Sequence, residues 1–221
     1  MKYFLVWTLL LGCGGWDCEA GETGSIASHS NQARTELLGD RTAWEFAIPY
    51  PLDSANESGI GPYDVDWARV TLAHSADRQT LYVRYELNGE ADIVAFPAFY
   101  NLFIDADNNR KTGYIGESGQ FAIGADYLVQ GANVFAFTGG GQTDFAWSLT
   151  LGVQSDVRSS NRDIVIAIPV AGIGRPSHFR FMLFGDNALS GHVPDYYPDN
   201  GNEGEAGGSF EYLIVEKAEG E

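Results

Sequence analysis

From residue 67 onward the chain alternates apolar and polar positions with a period of two, broken by short clusters of turn residues. Leu81, Val83, Tyr85 and Leu87 fall on one side of an extended segment, and Tyr82, Arg84 and Glu86 on the other. That alternation predicts a half-buried strand. Val70 and Leu72 precede it and Ser75-Ala76-Asp77-Arg78 supplies a connecting turn, so residues 67 to 87 read as a hairpin. Further strands are predicted over Tyr100 to Ile104, Ala125 to Gln130, Val134 to Phe137, Phe145 to Leu149, Ile164 to Ile168, Phe179 to Phe184 and Phe210 to Val215. Phe145, Trp147 and Leu149 share a face, which predicts that this face lies in the core. Helical periodicity is confined to one short turn over Pro169 to Gly174. Many short strands with glycine-rich corners predict an all-β fold, an antiparallel two-sheet β-sandwich of the immunoglobulin-like or jelly-roll type. A closed barrel uses the same alternation and stays open as an alternative.

The two ends of the chain read differently. Lys2, the apolar run Phe4 to Leu11 and the small residues Gly12 to Gly15 have the layout of an export signal over residues 1–20. Leu10-Leu11-Gly12-Cys13 resembles a lipobox, which would make Cys13 a lipidated anchor, while Cys18-Glu19-Ala20 offers an ordinary cleavage site instead. With either, the protein is expected outside the cytoplasm, secreted or anchored to the cell envelope, and the folded part is left without a cysteine pair. Residues 21–40 read as a polar tether, 41–216 as the sandwich domain and 217–221 as a loose tail. The formal net charge of −17 disfavours nucleic acid and anionic membrane surfaces as partners. Neutral glycans and divalent cations remain compatible.

Chemistry concentrates in Asp105-Ala106-Asp107-Asn108-Asn109-Arg110-Lys111-Thr112-Gly113, directly after the apolar strand Leu102-Phe103-Ile104. Oxygen side chains at 105, 107 and 109 can converge when the backbone curls, and calcium needs six to eight such hard ligands. The twelfth position is Gly116, with Glu117 one later, so this is not an EF-hand. Asp126, or a carbonyl near Lys111, would complete the set; a plain turn closed by Asx hydrogen bonds is the alternative. Two further segments, Pro62 to Trp67 and Pro194 to Gly201, mix carboxylates with aromatic rings. Their Trp67, Asp195, Tyr196 and Tyr197 are candidates to stack on and hydrogen-bond a sugar, unless the rings simply pack inside. Trp44 faces the same choice. Catalytic signatures are missing: there is no Gly-x-Ser-x-Gly, no His-Glu-x-x-His and no phosphate-cradling loop, and His29, His74, His178 and His192 are scattered. The chain is therefore expected not to be an enzyme.

Asp66-Trp67, Leu81-Tyr82-Val83-Arg84, Tyr100 to Asn109, Thr112-Gly113-Tyr114 and Gly124-Ala125-Asp126-Tyr127-Leu128 occur in an order that resembles the family 9 carbohydrate-binding modules and the wider DOMON-like sandwiches. The likeness extends over roughly residues 41 to 215. It implies a sandwich with structural calcium, Asp105 and Asp107 as ligands with Asn109 and Asp126 beside them, and a polysaccharide or oligosaccharide partner. A structural or adhesion module of a cell-surface assembly is a second expectation. A haem-binding redox domain is a third, since other members of that group bind haem through methionine and histidine. Met182, the one methionine after the signal, stands between Phe181 and Leu183 and reads as core.

Overall fold

The computed structural model describes residues 47–53, 65–89, 96–131, 133–152, 154–157, 163–186, 194–199 and 208–214. The expected signal with Cys13 and Cys18, the tether, the tail, Trp44, His29 and His192 lie outside the described residues.

Among the described residues twelve strands follow in chain order: β1 Ile48–Pro49, β2 Trp67–His74, β3 Thr80–Leu87, β4 Tyr100–Asp105, β5 Tyr127–Gln130 and β6 Asn133–Phe137, then β7 Trp147–Gly152, β8 Gln154–Val157, β9 Asp163–Pro169, β10 His178–Gly185, β11 Asp195–Tyr197 and β12 Phe210–Leu213. The expected hairpin is present as β2 and β3, with Leu72 opposite Val83. The expected turn at 169–174 is a 3-10 turn over Val170–Ile173. All pairings described are antiparallel and form two sheets. One runs β1-β2-β3-β9-β8; the other runs β11-β10-β4-β5-β6-β7, with β12 sharing the β11 side of β10. The fold is an all-β sandwich, not a closed barrel. Among the described residues no helix is long and apolar enough to cross a membrane.

Period two puts alternate side chains on opposite faces, and the core follows from it. Val83 and Tyr85 of β3, Ile164, Ile166 and Ile168 of β9, Leu102 and Ile104 of β4, and Phe179, Phe181 and Leu183 of β10 meet between the sheets. The seven-stranded sheet also buries its outer face. Phe103, Leu128, Met182 and Tyr196 point there and are covered by Tyr114, Phe121, Ile123 and Ala125. All four covering residues lie between β4 and β5, so residues 106–126 leave the sheet, fold back over it and return. Every residue of β4 is consequently buried.

Three sequence expectations change. Asp195 to Tyr197, expected in a loop, form β11, because the backbone of β10 offers an unsatisfied edge beyond Phe181. Phe145 and Leu149, expected in the core, are 49% and 61% exposed. Leu149 lies on β7, the sheet margin, and Phe145 just before it, at the rim of the covering segment, whose Tyr114 meets the Phe145 ring. Trp67 opens a core strand and is completely buried, against Tyr85 and Tyr100.

Candidate metal centre

The excursion between β4 and β5 has a neck, and the acidic residues sit on it. Ile104 pairs with Tyr127, so the residues on either side of the neck, Asp105 and Asp126, are held together by sheet register. The Asp126 amide donates to the Ile104 carbonyl at 2.8 Å. Beyond the neck the backbone curls tightly: Asn109 N–H donates to Asp105 Oδ1 at 3.0 Å and to Asp107 Oδ1 at 2.9 Å, and Asn108 takes a left-handed φ of 57°. Asp105, Asp107 and Asp126 thereby present carboxylate oxygens within 4.8 Å of one another. A cation bound at about 2.3–2.6 Å from each oxygen fits that span. These three carboxylates can hold a metal ion.

Several neighbours shape the turn. Thr112 Oγ1 is 2.9 Å from Asp107 Oδ2 and 2.8 Å from the Asn109 carbonyl. Asn109, the fourth expected ligand, turns its Oδ1 to the Lys111 N–H at 3.1 Å, the Asx closure of the alternative reading. Gly124 closes the far side, where a Cβ would stand 1.9 Å from the Thr112 carbonyl oxygen; no other residue fits without moving backbone. Tyr114 and Ala125 then pair through two backbone hydrogen bonds of 2.8 and 2.7 Å.

Arg180 was not anticipated. It lies opposite Asp105 in the β4–β10 register, and its guanidinium donates to the fully buried Asp105 Oδ2 at 2.5 Å. Its sequence signal is a lone charge within the apolar strand Phe179-Arg180-Phe181. One guanidinium facing three carboxylates leaves two negative charges for a cation to balance. Burial raises the Asp105 carboxyl above its ordinary range while the Arg180 charge pulls it down. Asp126 is pushed up to about 6, by burial first and then by the nearby charges of Asp107 and Asp105, against hydrogen bonds from the Ala106 and Asp107 amides.

This fixes a pH dependence. A carboxyl that holds its proton more tightly when folded contributes stability that is complete below its unfolded pKa of about 4 and lost as pH rises through about 6. With chelator present, the urea midpoint of the protein therefore falls relative to Asp126→Asn across that window. With a cation bound to the ionised carboxylates the slope reverses, since the metal competes with the protons.

The sugar candidates are placed otherwise than expected. Trp67, Asp195, Tyr196 and Tyr197 are all buried, so none presents an open ring face or edge. Asp195 Oδ2 accepts the Trp67 backbone N–H at 2.6 Å, Tyr197 donates to the Pro51 carbonyl, and Tyr196 packs on Phe184 and Phe121. The Asp195–Trp67 bond ties β11 to β2 of the other sheet, Tyr197 packs between the sheets, and Tyr196 packs on the outer face. Met182 is fully buried opposite Phe103, as its strand position predicted. His74 bonds to the Tyr212 hydroxyl and His178 to Asn108.

Open aromatic surface occurs instead beside the acidic turn. Phe145 and Trp147 contact the buried Tyr114 ring, with centroids 5.5 and 5.6 Å away, and Phe137 lies 5.3 Å from Trp147. Phe137 and Trp147 are half-buried. Gln142 joins this region to the acidic turn, its Nε2 donating to the Arg110 and Thr112 carbonyls at 2.8 and 3.2 Å. No family model, no curated protein and no solved structure matches the chain.

Proposed function

We propose that this protein is a non-catalytic binding module acting outside the cytoplasm, with calcium as a structural ion and a carbohydrate as its ligand. The observation that carries this reading is the pairing of an all-oxygen acidic neck with a partly open aromatic surface at Phe137, Phe145 and Trp147. Hard carboxylate oxygens without sulfur or imidazole suit calcium or magnesium rather than zinc or copper, and irregular spacing favours the larger, more tolerant ion. Aromatic rings offer apolar faces to the C–H side of a sugar, and the surrounding acidic residues and amides offer hydrogen-bond partners. The kinship to family 9 carbohydrate-binding modules and DOMON-like sandwiches belongs to the same proposal.

Calcium at about 100 times its Kd adds roughly 2.7 kcal/mol. For a domain of this size that raises Tm by about 5–10 °C. Calorimetry with calcium and with chelator measures it, and equal melting temperatures would remove calcium from the proposal. Affinity electrophoresis through plant and algal polysaccharides, with calcium present, tests the ligand. Retardation that Trp147→Ala abolishes is the expected result; migration unaffected by every polysaccharide sinks the carbohydrate reading.

A further inference from the structure

The loop 138–146 carries Phe145 and leads into Trp147 at the start of β7. Its Gln142 donates from Nε2 to the carbonyls of Arg110, Thr112 and Gly113 at 2.8, 3.2 and 3.3 Å, and its own carbonyl accepts the Ile115 N–H at 2.9 Å. Among the described residues, every hydrogen bond between this loop and the excursion 106–126 runs through Gln142.

Both partners of that link are internally braced. On the loop side, Asp144 Oδ2 accepts the Gly141 N–H at 2.7 Å and Thr138 N–H donates to the Ala146 carbonyl at 2.9 Å. Gly139 lets the loop lie on the Phe137 ring, since a Cβ there would stand 2.5 Å from a ring carbon. The loop and its rings are thus one unit, fastened to the acidic turn from outside. On the turn side, Thr112 Oγ1 has one proton and three acceptors within reach: Asp107 Oδ1 at 3.1 Å, Asp107 Oδ2 at 2.9 Å and the Asn109 carbonyl at 2.8 Å. The residue whose carbonyl Gln142 holds therefore reads the state of the Asp107 carboxylate through its hydroxyl.

We propose that Gln142 is a positioning residue, which makes the placement of Phe145 and Trp147 depend on cation occupancy of the acidic turn. This rests on the calcium reading above and extends the ion from a structural to a regulatory one. With Asp107 engaged by a cation, the Thr112 proton is left to the Asn109 carbonyl, and the repulsion among the three carboxylates is relieved. The carbonyls of Arg110, Thr112 and Gly113 move with the turn, and Gln142 carries that movement to the loop. A carbohydrate held on these rings binds more tightly with the cation present and, by linkage, tightens the cation equally.

Trp147 is the natural reporter. Its indole N–H is buried and makes no hydrogen bond among the described residues, and the rings of Phe137, Tyr114 and Phe145 lie 5.3, 5.6 and 6.0 Å away, so small displacements alter its ring-current field. The test is a calcium titration of the full chain followed by amide and indole NMR, with the Trp147 indole signal identified by its loss in Trp147→Phe. The Asp107, Thr112 and Trp147 signals are expected to shift along one saturation curve. Gln142→Met keeps the length of this half-buried side chain and removes its donors, so the fold is retained. In that variant the turn amides still saturate with calcium, while the Trp147 shift falls about threefold or more. Gln142→Lys returns N–H donors at a similar reach and is expected to recover the shift. The coupling is overturned, with calcium left in place, by an unmoved Trp147 signal over saturating turn amides, by an undiminished shift in Gln142→Met, or by a lysine variant that behaves as the methionine one. Turn amides that ignore calcium remove the ion and the coupling together, so the two readings fail distinguishably.

Discussion

Trp67→Ala will cost about 3–5 kcal/mol of folding stability, read as a lower urea midpoint, because the emptied volume lies wholly inside the sandwich. Domains of this kind are stable by only about 5–15 kcal/mol, so the variant loses a large part of its margin. The indole packs against Tyr85 and Tyr100, and the residue's amide is tied across to Asp195 in β11. Trp67→Phe keeps an aromatic ring in the space and is expected to retain most of the stability. A ligand-stacking tryptophan would behave in the opposite way, with native stability and lost binding in the alanine variant. The pair of substitutions therefore separates packing from recognition at a position whose composition suggests the latter.

Arg180→Ala is expected to cost about 3 kcal/mol at neutral pH, the low end for breaking a buried ion pair, since the guanidinium is partly exposed while Asp105 is not. The loss arises from leaving a carboxylate in the interior without its partner. Protonation removes that penalty, so the deficit against wild type shrinks as pH falls and the Asp105 carboxyl, raised by its burial, takes up a proton. Added calcium is expected to restore part of the stability at neutral pH by supplying the missing positive charge. Urea titrations at pH 7 and 4.5, each with calcium and with chelator, give the four midpoints required. Equal deficits at both pH values would mean that Arg180 acts through packing alone.

Alternation and turn residues made the strands legible wherever one face meets the core. Leu81 to Leu87 is the clearest case, because its neighbours β2 and β9 supply matching faces and the turn at 75–79 carries its own Asx and Ser hydrogen bonds. The acidic turn was legible for a similar reason: Asp105, Asp107 and Asn109 are close in the chain, and local geometry brings them together. Arg180 was not, since only sheet pairing across 75 residues of separation sets it beside Asp105. The aromatic residues failed in both directions. Tyr196 is buried because Phe121, far away in sequence, arrives from the covering segment. Phe145 and Leu149 stay open at the rim of that cover, where Tyr114 meets Phe145 and Trp147. Whether a ring in a strand-like segment faces protein or water depends on such long-range cover, which carries no period in the sequence.

The sheet margins are not equally protected against pairing with another copy of the chain. β1 contains Pro49, which has no amide proton to offer, β8 contains Asp156, and β12 contains the exposed Glu211. β7, Trp-Ser-Leu-Thr-Leu-Gly, has neither proline nor charge, and among the described residues it pairs on one side alone. The hazard of self-association is thus gathered on the margin that bears Phe145 and Leu149. A lysine in place of the exposed Leu149 is the natural gatekeeper for keeping the protein dispersed at high concentration.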